Sequence, residues 1–214
     1  IQNLELIIVD DSSTDGTINI VDELNHNKKY KVIVREKKSG LASAVSRGVI
    51  ETSGEYIGWI DTNMPELVVK FSEMKKALES NYDIAVLSRY VDGGSDKRNL
   101  LRTMSSKYLN IICRICLGSH IKDYSSGIYL IKKNVINKVP FLGYGHGEYF
   151  IEFLDHSYRK GFRIKEIPFE QKSKAADNIK VSKSAPSLLK FFYLGFKYIL
   201  RVFSTIIRRG RLND

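Results

Sequence analysis

Two polar clusters at the ends of apolar runs carry the side chains best suited to chemistry. Asp10 and Asp11 close the run 4–9, and Asp61 and Asn63 follow the run 55–60. A carboxylate in such a place can accept hydrogen bonds from a nucleobase or a ribose. Asp61 and Asn63 offer oxygens to a hard divalent cation, Mg2+ or Mn2+, that bridges phosphates. Either cluster alone reads equally well as the solvated end of a strand. Brought to one edge of a sheet, the two together point to a site.

Those acids need elements that bring them together. Residues 4–9 read as a buried parallel strand, and 12–17 supply turn and cap residues before a helix through Ile18, Val21 and Leu24. A strand at 30–34, a helix at 41–50 opened by Gly40, a strand at 55–60, a helix at 67–78 and a strand at 83–87 follow. Strands alternating with helices at this spacing imply an α/β fold with a doubly wound, mostly parallel sheet. Ligands of such sheets bind outside the carboxyl ends of the strands, so Asp10, Asp11 and Asp61 are expected on one edge. Further on, 91–99 is a polar loop, 100–117 a long helix, 127–131 a strand, 149–159 a helix and 162–167 a final strand. A lysine-rich loop at 171–184 leads to a last helix at 186–209, and no internal repeat is present.

Charge is distributed unevenly. The 214 residues hold 34 Lys and Arg against 24 Asp and Glu, a net charge of +10. Residues 171–214 hold 10 of the cations and 2 of the acids, whereas 1–170 are near balance with 24 against 22. The excess belongs to the tail, which suits an anionic surface or ligand and argues against a nucleic-acid-binding body. Two domains of function are therefore expected, a body over 1–170 and a basic loop with an amphipathic helix over 171–214. At about 100° per residue, Lys190, Lys197, Arg201 and Arg208 fall within a stripe roughly 40° wide, and nearly everything else in that helix is apolar or aromatic. Such a helix suits a membrane interface, apolar side down, with its cations at the lipid phosphates. Docking on the body, or a seam of a homo-oligomer, is the alternative; docking alone leaves the basic flanks Arg208, Arg209 and Arg211 unexplained. The first residues do not read as a signal peptide, and no stretch reaches the roughly 18 uncharged apolar residues of a membrane span.

Other candidates carry less. Cys113 and Cys116 form a C-x-x-C inside an apolar helical pattern, with no second pair for zinc, and read as packing residues. His26, His120, His146 and His156 lack metal-ligand spacing. Gly143-Tyr-Gly-His-Gly147 is a loop signal without the strand or the following Lys of a phosphate cradle.

Taken in order, the motifs resemble a known family. Leu6-Ile-Ile-Val-Asp-Asp-Ser-Ser-Thr-Asp-Gly-Thr17, Gly40-Leu-Ala-Ser-Ala44 with Gly48, Gly54-Glu-Tyr-Ile57 and Asp61-Thr-Asn63 resemble the nucleotide-sugar half of a family 2 glycosyltransferase with the GT-A fold. Ser88-Arg-Tyr90 with Gly93-Gly94, Arg102 with Ser106 and Asn110, Asp123-Tyr-Ser-Ser-Gly127, and Glu152 with Gly161-Phe-Arg-Ile-Lys-Glu-Ile-Pro168 resemble its dolichol-phosphate mannose synthase branch. The resemblance implies inverting, metal-dependent transfer of a hexose from a nucleoside diphosphate sugar to a polyprenyl phosphate, by a peripheral protein at the cytoplasmic membrane face. It implies that Asp11 meets the donor base with Asp10 beside it and Gly40 lining the same site. Asp61 and Asn63 would hold Mg2+ or Mn2+ on the diphosphate, and Arg89 and Arg102, with Ser106, would meet phosphate oxygens.

The chain departs from that pattern in three places. It begins at what is the second strand of the family, without the first strand and its Pro-x-Tyr-Asn-Glu-like loop, and so reads as a fragment or a variant lacking a central strand. Asn63 stands where the metal motif usually has an acid. The Arg-x-x-Gly-x-Ser-Lys acceptor loop is matched only by Lys174 and Ser182-Lys183. Two other functions follow from these departures. A saccharide acceptor would need a general base, for which Asp123 is the nearest acid. An inactive paralogue would retain a binding role alone.

Overall fold

The computed structural model describes residues 4–25, 30–37, 40–62, 64–139, 141–172 and 185–209, with backbone alone for 185–191. A parallel pair opens the chain: β1 (Leu6–Asp10) lies beside β2 (Tyr30–Val34), joined by α1 (Thr17–Leu24). The helix α2 (Leu41–Ile50) follows, and its Ala42 and Val45 are buried in the core shared with the main sheet. Gly48 faces the other way, toward Val9 of β1, where an added Cβ would already touch the valine methyl at 3.4 Å. Among the described residues no strand pairing joins β1 and β2 to the main sheet, so α2 is what carries them on it.

The main sheet has four strands in the order β3 (Tyr56–Trp59), β6 (Tyr129–Lys132), β4 (Ile84–Ser88), β7 (Ile164–Pro168). The α/β class and the GT-A-like arrangement expected from the sequence are present, with one difference of direction. β6 runs antiparallel to both β3 and β4, while β4 and β7 are parallel. Because β6 reverses between them, β3, β4 and β7 all end on the same edge, which carries Asp61 and Arg89. A short parallel pair, β5 (Ser95–Asp96) with β8 (Glu170–Gln171), extends that edge.

Every residue of β4 is buried, as expected for a strand covered on both faces. Ile84 and Val86 point into one apolar cluster and Ala85 and Leu87 into the other. The second cluster is closed by Leu67 of a 3-10 turn (Pro65–Val69) and by Met74 and Leu78 of α3 (Lys70–Glu79). The first is closed by Cys113 and Leu117 of α4 (Leu100–Leu117), by Val135 of the short α5 (Lys133–Lys138) and by the aromatic face of α6 (Tyr149–Arg159). Cys113 is fully buried, and burial pushes its thiol up to about 12, so it packs as a small apolar side chain.

The last helix, α7 (Ala185–Arg208), packs on α4 and α6. Arg201 and Arg208 of its basic edge turn inward. Arg201 is buried and donates from Nη1 to Oε2 of the buried Glu152 at 3.0 Å, and Arg208 reaches Oε1 of the same carboxylate at 3.1 Å. Arg209 holds both oxygens of Asp155 at 2.7 and 3.0 Å and also caps α4, donating to the carbonyls of Cys116 and Leu117. The flanking Arg208 and Arg209 are thus explained by docking, because they pair with the buried carboxylates of α6, and Arg211 lies outside the described residues. The expected contact of Arg201 with lipid phosphates is overturned for the same reason. The apolar face is what remains outside: Phe192, Phe196, Leu200, Phe203 and Ile207 are all exposed. Beside it α4 leaves Leu100, Met104, Tyr108, Ile111 and Ile115 exposed at helical spacing, and neither helix contains an acid.

The docking predicts a large effect of a small change. Glu152→Ala leaves Arg201 buried without its counter-charge and should cost about 3–5 kcal/mol, roughly 10 °C in thermal unfolding. Glu152→Met combined with Arg201→Met should recover most of that loss; a single variant as stable as the wild type would show that the pair is not desolvated.

Candidate active site

The loop after β1 builds a cleft of about 480 Å3 lined by Val9, Asp10, Asp11, Ser13, Gly40, Leu41 and Ala44. Three of the expected donor-site residues, Asp10, Asp11 and Gly40, are therefore together. They are not equivalent. Both oxygens of Asp10 are occupied locally, accepting the Ser13 N–H at 2.8 Å and its hydroxyl at 2.6 Å, so Asp10 shapes the turn. Ser12 is held in a left-handed conformation, φ 54°, and its hydroxyl donates to the Arg35 carbonyl at 2.6 Å. Asp11 is the carboxylate that faces the cleft, and one of its oxygens takes Nε of Arg35 at 2.6 Å. Gly40 has φ 88°, which suits glycine, and an added Cβ would lie 2.9 Å from the Gly145 carbonyl oxygen. The backbone therefore forms that wall of the cleft.

The second cluster is built on Arg89, at the end of β4. Its side chain is buried and forms a fork on the fully buried Asp123, with Nε to Oδ2 at 2.8 Å and Nη2 to Oδ1 at 2.7 Å. The remaining donors reach Ser125 Oγ at 2.8 Å and Gln171 Oε1 at 3.1 Å. Burial acts to raise the Asp123 carboxyl, but the Arg89 charge and hydrogen bonds outweigh it and hold Asp123 below the usual carboxylate range. Asn110 of α4 ties the cluster together, donating to Ser125 Oγ and to the Ser106 carbonyl, both at 2.9 Å, and accepting the Tyr124 N–H. Glu166 of β7 accepts the backbone N–H groups of Lys122 and Asp123. The structure thus places Arg89, expected to meet substrate phosphate, on Asp123, Ser125 and Gln171, and pairs Asp123, the acid expected for a saccharide acceptor, with Arg89.

Arg102 and Ser106 lie one turn apart on one face of α4, just after the helix is capped by Asn99, which accepts the Arg102 N–H at 3.0 Å. Ser106 Oγ is 3.4 Å from Ser125 Oγ, so α4 brings Arg102 and Ser106 to the rim of the Arg89 cluster. Asp61 follows β3 on the same edge, and its carbonyl accepts the Met64 N–H at 2.9 Å. Asn63, Lys174 and Lys183 lie outside the described residues. No group of three or more His, Cys, Asp or Glu that could hold a metal ion occurs among the described residues. A single carboxylate at a strand end fits Mg2+ or Mn2+ held chiefly by ligand phosphates and water, and does not fit a structural ion.

Sequence reasoning missed Arg35 and Gln171, and met Asn110 and Ser125 only inside motifs, without a role. Arg35 had a local signal, a cation directly after a strand whose parallel neighbour ends in two acids. Gln171 had none, because its partner Arg89 is 82 residues away in the chain. A larger cleft, about 880 Å3, lies at the opposite end of the sheet around His120, Tyr158 and Ile164. Its arginines Arg159 and Arg209 are paired with Asp155 and its Arg163 with Asp83, and none of the expected site residues reaches it.

An α/β sheet of this kind, with an acid-lined cleft and Asp61 on one edge, is the architecture of a GT-A-like transferase. The chain belongs to glycosyl transferase family 2, whose model matches residues 1–139. It is 35% identical over 173 residues to a dolichol-phosphate mannosyltransferase of Pyrococcus furiosus, covering 78% of this chain and 47% of the relative. It is 27% identical to a polyprenol monophosphomannose synthase of Mycolicibacterium smegmatis, covering 77% of this chain and 65% of the relative. The chain thus spans about half to two thirds of the length of these relatives. Among solved structures it is similar to glucosyl-3-phosphoglycerate synthase of Mycobacterium tuberculosis in complex with Mn2+, UDP and glucosyl-3-phosphoglycerate. That match has a TM-score of 0.62 at 19% identity and covers 94% of this chain and 68% of the other. The complex of the same synthase with Mg2+ and UDP has a TM-score of 0.61. These likenesses establish the fold.

Asp123→Asn should cost about 3–5 kcal/mol at pH 7, measured by chemical denaturation, because it leaves Arg89 buried beside a neutral group. With its carboxyl held below the ordinary 3.8, Asp123 contributes fully above that value and loses its contribution as the pH falls through the lowered one. The gap between variant and wild type should therefore close only in strong acid. A gap under about 1 kcal/mol at pH 7 would contradict the buried pair.

Proposed function

We propose that this chain transfers a hexose from a nucleoside diphosphate sugar to a polyprenyl phosphate, with inversion and with Mg2+ or Mn2+, as a peripheral protein at the cytoplasmic membrane face. The observation that carries the reading is the 35% identity to a dolichol-phosphate mannosyltransferase over 78% of the chain. The apolar face of α4 and α7, adjoining Arg102 and Ser106, supports it.

In this reading Asp11 and the Gly40 backbone hold the nucleoside. Asp61, together with Asn63, holds the cation, which when bound neutralises the diphosphate. Arg102 and Ser106 face phosphate oxygens, and Lys174 and Lys183 add cations from the segment that precedes α7. Arg89 acts at one remove, fixing Ser125 and through it the α4 rim. An oxygen of the acceptor phosphate attacks the anomeric carbon from the side opposite the leaving group. The new carbon–oxygen bond forms as the bond to the nucleoside diphosphate breaks, and that group leaves with the electron pair. The acceptor is already anionic, so no general base is required, and the protein's contribution is position and charge.

No helix among the described residues is long and apolar enough to cross a membrane. The exposed apolar face supports attachment to the bilayer surface instead. Aromatic and aliphatic side chains of α4 and α7 would enter the interface, with Lys107 and Arg114 beside them at the headgroups. Association of two copies through the same face is the outcome that would replace this one.

Two measurements follow. Asp61→Ala should lower transfer by about a hundredfold or more with unchanged thermal stability; an unchanged rate would remove Asp61 from the cation site. Phe196→Glu with Phe203→Glu should reduce flotation with anionic vesicles by about tenfold or more. Undiminished flotation, or a dimer that the same variants dissociate, would assign the face to a second copy.

A further inference from the structure

The segment 141–148, between α5 and α6, touches both the nucleotide cleft and α7. On the cleft side, the Gly145 carbonyl accepts the Ala42 N–H at 3.3 Å, in the first turn of α2, and closes against Gly40. Gly143 meets Ser46 of the same helix, where an added Cβ would lie 3.3 Å from the hydroxyl. On the other side, Gly147 lies flush against the Tyr198 hydroxyl of α7, and an added Cβ at 147 would stand 2.5 Å from that oxygen. The Tyr144 ring lies against the guanidinium groups of Arg201 and Arg208, at 4.5 and 5.8 Å. Burial pushes the Tyr198 phenol up to about 12, so the hydroxyl is neutral at physiological pH. Inside the segment, Glu148 is buried and accepts the His146 N–H at 2.9 Å, which braces the turn.

Glycine at 143, 145 and 147 lets one short backbone lie flush against two helices at once. Gly145, at φ 97°, also takes a conformation that suits glycine. The contact with Ala42 is long for a hydrogen bond, so a shift of about 1 Å in α7, passed through Gly147, would open it and release the first turn of α2.

We infer that Tyr198 is a positioning residue for the donor. Through the 143–147 strap it sets the Gly40–Ala42 backbone that walls the nucleotide cleft, so that nucleotide binding and the seating of α7 are coupled. The inference rests on the reading of that cleft as the nucleotide site. Coupling between two binding events is reciprocal, so whatever seats α7 more firmly should tighten nucleotide binding, and nucleotide should firm α7.

The test uses the full chain with UDP and GDP in Mg2+, titrated calorimetrically, and amide exchange of residues 192–208 with and without saturating nucleotide. Tyr198→Phe should weaken nucleotide binding by about three- to tenfold. Gly147→Ala, whose methyl would push Tyr198 away, should weaken it at least as much. Nucleotide should slow exchange across α7 in the wild type and lose that effect in Tyr198→Phe. A merely structural role would lower thermal stability and leave nucleotide affinity and the exchange response alone. If either nucleotide binds the wild type but both variants bind it equally well and α7 exchange ignores it, the coupling is wrong and the cleft reading stands. If neither nucleotide binds the wild type, the cleft reading fails and the coupling fails with it.

Discussion

Two buried carboxylates on α6 determine how the C-terminal third of the molecule is arranged. Glu152 and Asp155 sit on a helix that is otherwise apolar on its core side, and both are almost fully excluded from water. Left alone they would be costly, so the structure brings Arg201, Arg208 and Arg209 to them. Once those cations point inward, the rotation of α7 is fixed and its aromatic face has to point outward. The docking of the helix and the exposure of a large apolar surface are one event.

A second buried pair, Arg89 with Asp123, does the same work at the edge of the sheet. It joins the end of β4 to the loop that enters β6, and through Ser125 it is tied to Asn110 in the middle of α4. The rim residues Arg102 and Ser106 inherit their position from that lock. That edge and the apolar face therefore share one helix: α4 presents Arg102 and Ser106 near its amino end and exposed Tyr108, Ile111 and Ile115 along its outer side. In the proposed function, a lipid-linked phosphate would meet Arg102 and Ser106 and the apolar face on adjacent turns.

Much of this was legible in the sequence. The limits of α4 agree with the apolar pattern at both ends, and Asp10, Asp11 and Gly40 meet as their positions after a strand and before a helix require. The direction of β6 was not legible, because alternation of side chains is the same for a strand run either way. The orientation of α7 was not legible either. Periodicity defines a basic stripe and an apolar one, but which of them faces the body depends on Glu152, 49 residues away from Arg201. The pairing of Arg89 was not legible for a similar reason, since its partner Asp123 is 34 residues distant and an exposed arginine and a buried one look alike in sequence.

The outward-facing α7 is the claim on which membrane attachment and acceptor choice both depend. It is tested most directly by an environment-sensitive fluorophore on Phe203→Cys, compared with one on Glu79→Cys in α3, in a chain whose own two cysteines are replaced by alanine. With anionic vesicles the label at 203 should shift to the blue and become shielded from an aqueous quencher, while the label at 79 stays unchanged. No change at 203, or equal changes at both positions, would contradict the account.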